Sequence, residues 1–581
     1  MDFLPPSLLK NSLAKRIGLV LLVFVVYLPC LFNGFSGDDH SLFKNNNFYH
    51  SWSNFPRLFQ PGYNIDPTTY IIGPNADKGT GSVAYRPVLS ITYFIDYWLW
   101  HDRPLGYHLH NLLWHLGNVL WVYLILLELY PPAALATALA FGLHPIQTEA
   151  VCSIGYRADL LATFFCLGSW FFWSKYHTAS GTRRNLATAA LFYFLAVFSK
   201  EPALLLPLIL MIYSVLFPVQ RPKRFVLSES LLWIGIAAFY LTLYFFVFPN
   251  PTIAAQARFL GENFLNHILI MLRIWREYLV LFILPWTVTL IPAQYFPPVD
   301  TTFHAATVLD LIAAAGYLGL ILIAFRRSRL VCFFALWYLI FYLPIANILP
   351  NANPMAARYL YLPSVGLLFM IVYGLQKILQ KTHRTANGQR ITQGVQFSLL
   401  ALLAVCSFTL SFFWKNDYTI ASTWIQNFPQ HHKGYAVLGD LHSQAGLCRQ
   451  SRDYYLQSQR RQDLAPDDKL KLAICYYDLN GLQAAENTTV SLLKDYPSYT
   501  QAKILLGDIH MKKGEGHKAA LWFRKALQEA PENFQIYDRL VNCLVRIGNI
   551  AEAVTVIKKG KNIFPDAKIR YLRWYLKEIL P

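Results

Sequence analysis

Apolar residues fall in long runs along the first three quarters of the chain, separated by short basic or aromatic stretches. Runs of this kind suit helices that cross a bilayer. Spans are predicted near 16–33, 107–129, 132–146, 157–174, 185–200, 203–218, 228–248, 305–325, 329–349, 358–377 and 394–414. The first lacks a small-residue cleavage site and is expected to be an uncleaved span. With the N-terminus inside, Lys15-Arg16, Lys175 with Arg183-Arg184, and Arg221 to Arg224 fall in cytoplasmic loops, where basic residues concentrate. Segment 263–285 breaks the pattern, because Arg273, Arg276 and Glu277 at its centre are costly in lipid unless they face protein or water. Arg326 to Arg329 and Lys377 to Arg390 reach the inside only if that segment returns to the side it left. It is therefore expected to be re-entrant or an interfacial helix pair, which gives about eleven spans and leaves the C-terminal part outside.

After Trp414 the pattern changes. Prolines at 429, 466, 497, 531 and 565 stand 37, 31, 34 and 34 residues apart. Leu438-Gly439 and Leu506-Gly507 are separated by twice 34. Residues 497–531, PSYTQAKILLGDIHMKKGEGHKAALWFRKALQEAP, place Leu-Gly, Ala-Ala, Phe and Pro as a tetratricopeptide repeat does. About four helical pairs are expected to stack into a short solenoid with a concave face for a peptide or protein. The fold class is thus all-α. A polytopic membrane bundle over 1–415, with a first extracytoplasmic loop at 34–106, precedes a tetratricopeptide-repeat α-solenoid at 424–581.

Composition agrees. Of 581 residues, 55% are hydrophobic and only 14% charged, which excludes an ordinary soluble protein of this size. The net charge of +18 would suit nucleic acid. Many of the basic residues flank spans, however, where they set topology and meet anionic headgroups of the bilayer, so no nucleic-acid partner is expected. Eight cysteines show no CxxC and no metal-ligand spacing. Most lie in apolar runs and are expected to be small core residues, not a disulfide framework.

The candidate chemistry gathers outside. Loop 34–106 is too long for a mere connector and opens with FNGFSGDDHSLF, which carries Asp38 and Asp39. In the next span His108, Asn111, His115 and Asn118 share one helix face. Such a stripe must meet protein, water or ligand. Interhelical hydrogen bonds, at ~0.6–2 kcal/mol each, are the structural alternative. Further outside stretches are SVAYRPV, LHPIQTEAVCSIGYRADLL, SKEP, ARFLGEN and AARYLYLPS. Together they would bring Asp38, Asp39, Glu149 and Asp159 beside Arg86, Arg157, Lys200, Arg258 and Arg358. Cations could hold a lipid phosphate while one carboxylate deprotonates an acceptor. Alternatively, pairs such as Lys200–Glu201 and Arg157–Asp159 would lock loop to loop.

GDDH, YRPVLSITY, GYHLHNLLWH, HPIQTEAVCSIGYRADLLATFF, SKEPALLLP and ARYLYLPSVG, followed by repeats, resemble the transmembrane and tetratricopeptide-repeat O-mannosyltransferases. The resemblance runs almost end to end. It implies a GT-C fold, a polyprenyl-phosphate-linked sugar donor and an active site on the non-cytoplasmic face. It implies Asp38 as general base and Asp39 as the residue orienting acceptor or donor. Arg86, His108, Arg157, Lys200 and Arg358 would contact phosphate or sugar, with Glu149 and Asp159 in support. Asn111, His144, Glu201 and Arg258 complete the expected substrate-binding set. The expected activity is inverting transfer of mannose or another hexose to a hydroxyl of a protein acceptor presented by the repeats. The alternatives are an envelope polysaccharide or lipid glycosyltransferase, and a non-catalytic membrane scaffold. No cofactor is expected: the two aspartates could hold a divalent ion, but cations around the phosphate make one unnecessary. Two departures stand out. The AER of animal members is AAR here, and 285–300 matches their pattern poorly. Compact loops and a single sequon at Asn487 favour a bacterial inner membrane with periplasmic repeats, or the endoplasmic reticulum membrane in a eukaryote.

Overall fold

The computed structural model describes residues 6–40, 42, 47–60, 85–178, 180–217, 223–248, 263–284, 305–347, 354–380 and 386–563, and no strand occurs among them. Arg258 and the 285–300 stretch lie outside these residues. Contacts divide the chain into one unit ending at Ile420 and another beginning at Ala421.

Helices occupy all eleven predicted positions in the first unit. The described α-helices up to Asn427 are, in order, α1 (Pro6–Tyr27), α2 (Pro87–Trp100), α3 (Pro104–Leu129), α4 (Pro131–Leu143), α5 (Thr148–Cys152), α6 (Arg157–Tyr176) and α7 (Arg183–Val197). There follow α8 (Leu206–Leu216), α9 (Lys223–Thr242), α10 (Phe264–Ile283), α11 (Ala305–Arg327), α12 (Arg329–Tyr342), α13 (Ser364–Gln380), α14 (Ala386–Ser411) and α15 (Asp417–Asn427). Among the described residues five stretches are long and apolar enough to cross a membrane, or six if the bent pair 145–152 and 154–176 forms one span. Four more, Pro131–Leu143, Glu201–Leu216, Arg329–Ile345 and Ser364–Leu379, are apolar but shorter, so length alone does not establish eleven spans. Proline opens α2, α3 and α4 at their first helical position, where the missing N–H is no loss. At Gly168 of α6 an added Cβ would stand 2.2 Å from the Phe192 ring of α7, so glycine is what lets these two helices meet.

The polar stripe of α3 works as interhelical glue. His115 pairs with the Tyr361 hydroxyl at 2.6 Å and with the Gly142 carbonyl at 3.1 Å. Asn118 donates to the Leu160 carbonyl and to the Tyr361 hydroxyl.

Segment 263–285 is one uninterrupted helix, α10, and not a helix pair. His267 near its start meets the Asn347 carbonyl at 2.6 Å. Near its end the Tyr278 hydroxyl donates to the Ala356 carbonyl, and His144 approaches the Phe282 carbonyl. These three partners all belong to loops on the side where Asp38 and Asp39 lie. The central arginines of α10, Arg273 and Arg276, both pair with the buried Asp310 of α11, which removes the cost of unpaired charge there. Cys30 and Cys152 form a disulfide between the end of the first span and α5. That corrects the expectation of core thiols for this pair: the two lie 122 residues apart, which no local run reveals.

Among the described residues the second unit stacks four helix pairs: α16 (His432–Gln444) with α17 (Cys448–Gln459), α18 (Pro466–Asp478) with α19 (Leu482–Asp495), α20 (Thr500–Lys512) with α21 (Gly516–Glu529), and α22 (Phe534–Arg546) with α23 (Ile550–Ile563). Each pair turns through a left-handed residue, at Gly446, Asn480, Gly514 and Gly548, at intervals of 34. The second turn uses asparagine, the next most tolerant residue there. Asp440–Lys471 and Asp508–Arg539 join the first helices of neighbouring repeats.

Candidate active site

Five loops converge on one face of the first unit. The Asp38-Asp39 segment follows the 3₁₀ turn Leu28–Phe32. Asp39 is wholly buried. Its Oδ1 accepts the Gly155 N–H at 2.8 Å and its Oδ2 the Ser36 N–H at 3.2 Å. Burial pushes its carboxyl up to about 7 in spite of those two donors. Gly155 is needed for this approach, because a Cβ there would lie 3.1 Å from Leu42 and 3.3 Å from Asp39 Oδ1. Asp38 is only partly buried, and its Oδ2 accepts the Tyr156 hydroxyl at 3.4 Å. His40 and the Gly37 N–H both reach Asp417, at 2.8 and 2.6 Å, and fix the segment from its other side.

Three cation–carboxylate pairs link these loops. Arg86 makes a two-pronged contact with Glu201, at 2.6 and 3.1 Å. Lys200 reaches both oxygens of Asp159, at 2.6 and 2.7 Å. Arg358 pairs with Glu149 through its guanidinium and donates its backbone N–H to the same carboxylate at 2.8 Å. The Arg358 guanidinium also lies 3.8 Å from the Tyr156 ring centre, and Lys200 lies 5.5 Å from that of Tyr359. Burial lowers the Lys200 ammonium below its ordinary value against the pull of Asp159. For Glu201, burial opposes ionisation but Arg86 outweighs it, and the carboxyl sits below its usual range. A crevice of about 20 Å³, enough for a single water, opens between Asp159, Lys200, Tyr359 and Phe341.

Several expectations need correction. Salt bridges do lock loop to loop, but neither Lys200–Glu201 nor Arg157–Asp159 forms. Arg157 and Asp159 occupy the first turn of α6, where residues two apart do not face each other. Arg157 instead pairs with Asp96 of α2 and donates to Asn111 Oδ1 at 2.6 Å and to the Tyr107 carbonyl at 3.0 Å. It is fully enclosed. So are Asn111, bound to the Val151 and Ser153 carbonyls, His108, facing the Gly34 carbonyl, and His144, accepting the Ile146 N–H. These four are enclosed by protein and hold the loops to one another. Both oxygens of Asp39 accept backbone N–H groups, whereas Asp38 is only partly buried. The acidic partner missing beside Arg358 in the sequence is supplied by Glu149.

Asp96, Tyr156, Tyr359 and Asp417 were missed. A carboxylate inside the apolar run PVLSITYFIDYWLW was the available signal for Asp96, which also pairs with His110. Among the described residues no group of three or more His, Cys, Asp or Glu stands close enough to hold a metal ion.

A family model described as the TT21 fifth ARM repeats domain matches residues 500–578. The chain is 23% identical to protein O-mannosyl-transferase TMTC3 of Homo sapiens, over 97% of this chain and 62% of that protein. It is 24% identical to a protein O-mannosyl-transferase of Caenorhabditis elegans, over 75% of this chain and 61% of its relative. Tmtc3 of Drosophila melanogaster is 23% identical over 92% of this chain and 63% of its own length. The chain thus spans about three fifths of the length of these relatives. Among solved structures, YrrB, a tetratricopeptide-repeat protein, is 13% identical with a TM-score of 0.26, covering 35% of this chain and 98% of its own. MamA is 18% identical with a TM-score of 0.24, over 25% and 80% respectively.

Proposed function

We propose that this chain, a relative of the transmembrane and tetratricopeptide-repeat O-mannosyltransferases, moves a sugar from a polyprenyl-phosphate carrier to a hydroxyl of a protein acceptor. One observation carries the reading. A partly buried carboxylate, Asp38, accepts the hydroxyl of Tyr156, whose ring carries the Arg358 guanidinium, and beyond Arg358 the Tyr359 ring meets Lys200. Asp38 takes the proton from the acceptor hydroxyl. The acceptor oxygen attacks the sugar's anomeric carbon from the side opposite the phosphate, the carbon–oxygen bond to phosphate breaks, and its electron pair leaves with the phosphate. Attack from the far side inverts the anomeric centre. Arg358, and behind it Lys200 and Arg86, neutralise the departing phosphate. A positioned base contributes ~10²–10⁴-fold, and electrostatic stabilisation of the leaving group a larger share.

The face is extracytoplasmic in this account. The basic loops Arg183-Arg184 and Arg326-Arg327 lie at the opposite helix ends, and the Cys30–Cys152 disulfide suits an oxidising compartment. The membrane is a bacterial inner membrane or, in a eukaryote, that of the endoplasmic reticulum. The repeats present the acceptor, with mannose as the first sugar to test. A deletion strain complemented with wild type, Asp38→Asn or a chain ending at residue 415 tests the reading by glycoproteomics. Loss of protein-linked hexose with Asp38→Asn supports it. An unchanged glycoproteome with an altered envelope glycan identifies the enzyme as a polysaccharide transferase. A silent Asp38→Asn with a defective truncation leaves a scaffold.

A further inference from the structure

We propose that Tyr156 is a positioning residue that couples the base to the phosphate-binding cation, an inference that rests on Asp38 being the base. Tyr156 ends the 3₁₀ turn Ile154–Tyr156 directly before α6. Its hydroxyl donates to Asp38 Oδ2 at 3.4 Å, and its ring carries the Arg358 guanidinium at 3.8 Å. The turn is held on both sides: the Gly155 N–H binds Asp39, and the Tyr93 hydroxyl donates to the Ile154 carbonyl at 3.2 Å. One side chain thus touches both the group that receives a proton and the group that meets the leaving phosphate.

The two contacts do different things. A phenol that donates to a carboxylate favours its ionised form, which keeps a base ready at lower pH. Burial holds the Tyr156 phenol well above its ordinary value, so it remains a donor. An aromatic face holds a guanidinium without cancelling its charge, unlike Glu149 on its other side. The charged and titratable groups around Asp38 include Asp39 and His40 on its own segment, Asp417 bound to His40 and the Gly37 N–H, Tyr156, and beyond it Arg358 and Glu149.

Two substitutions separate the halves. Tyr156→Phe keeps the ring and removes the donor. The acid limb of its kcat/KM profile is expected to move up by about one pH unit, with the KM for donor unchanged. Tyr156→Leu removes both contacts and adds a rise in donor KM of about 2- to 30-fold, the range of a cation–π contact. The full chain in detergent would be assayed with mannosyl-polyprenyl phosphate between about pH 5 and pH 9, beside Asp38→Asn. Turnover by Asp38→Asn overturns the assignment of the base, whatever Tyr156 does. An inactive Asp38→Asn with a Tyr156→Phe profile superimposed on wild type overturns the role of Tyr156 alone. Equal donor KM for the Phe and Leu variants overturns the ring's part. Should the Leu variant fail to fold, the near-isosteric Phe variant still decides the first half.

Discussion

Replacing Asp39 with asparagine should change how stability depends on pH. The wild-type carboxyl is fully buried and titrates near 7, whereas an unfolded aspartate titrates near 3.9. Between those values the native state keeps a proton that the unfolded state has lost, so stability falls as pH rises through the window. Integrating the two titrations from about pH 5.5 to pH 8 gives a loss of about 2 kcal/mol in wild type. Asparagine has the same shape, and its Oδ1 still accepts from Gly155, but it does not titrate. Its amide must face the Ser36 N–H where a carboxylate oxygen sat, which costs about 1 kcal/mol at any pH. Asp39→Asn should therefore be less stable than wild type at the acid end and gain on it by about 2 kcal/mol toward pH 8. The assay is thermal unfolding of both proteins in one detergent at the two pH values. The decisive quantity is the change in their Tm difference, which cancels other titrating groups. A Tm difference that is constant with pH, or that moves against the variant as pH rises, would refute the reasoning.

Other outcomes follow from the same geometry. Gly155→Ala should lower turnover with little loss of expression, since its Cβ crowds Asp39 and Leu42; initial rates beside the yield of folded protein check this. Arg86→Met should destabilise by a few kcal/mol, because it strands a largely buried Glu201, and adding Glu201→Gln should restore folding but not turnover. Thermal unfolding and donor turnover of the single and double variants separate the two effects. Cys30 and Cys152 should resist alkylation until the protein is reduced, which peptide mass spectrometry reads directly. Asp508→Ala should cost no more than about 1 kcal/mol of stability, as its pair with Arg539 is solvent-screened, so any loss of acceptor selection in that variant reports recognition and not unfolding.

Much of the fold was legible because lipid demands long apolar runs and the repeats demand a fixed period. The 34-residue spacing reappears in the left-handed turns, including Asn480, where the sequence pattern was weakest. The pairing of Arg86, Lys200 and Arg358 with carboxylates of neighbouring loops follows from charged residues recurring in the short stretches between apolar runs. The particular partners were not legible. Lys200 stands beside Glu201 in sequence, yet its extended backbone (φ −162°, ψ 143°) sends the two side chains apart, to Asp159 and to Arg86. Nor did sequence separate Asp38 from Asp39. Adjacent carboxylates look alike until the fold gives one of them two backbone donors and no solvent. His108 and Arg157 were expected to contact ligand because they match motif positions of the resembled family, and Asn111 because it shares the polar face of α3. In the fold Asn111 ties α3 to the Val151 and Ser153 carbonyls and to Arg157, while His108 faces the Gly34 carbonyl.

The most direct test is donor cleavage by the purified chain. Wild type and Asp38→Asn, in detergent with lipid, would receive radiolabelled mannosyl-polyprenyl phosphate together with an extract of extracytoplasmic proteins. Release of free polyprenyl phosphate would be counted against mannose transferred to protein. The account predicts equal amounts of the two products from wild type, dependent on the extract, and a loss of about 10²-fold or more in Asp38→Asn. Equal transfer by both proteins would contradict it.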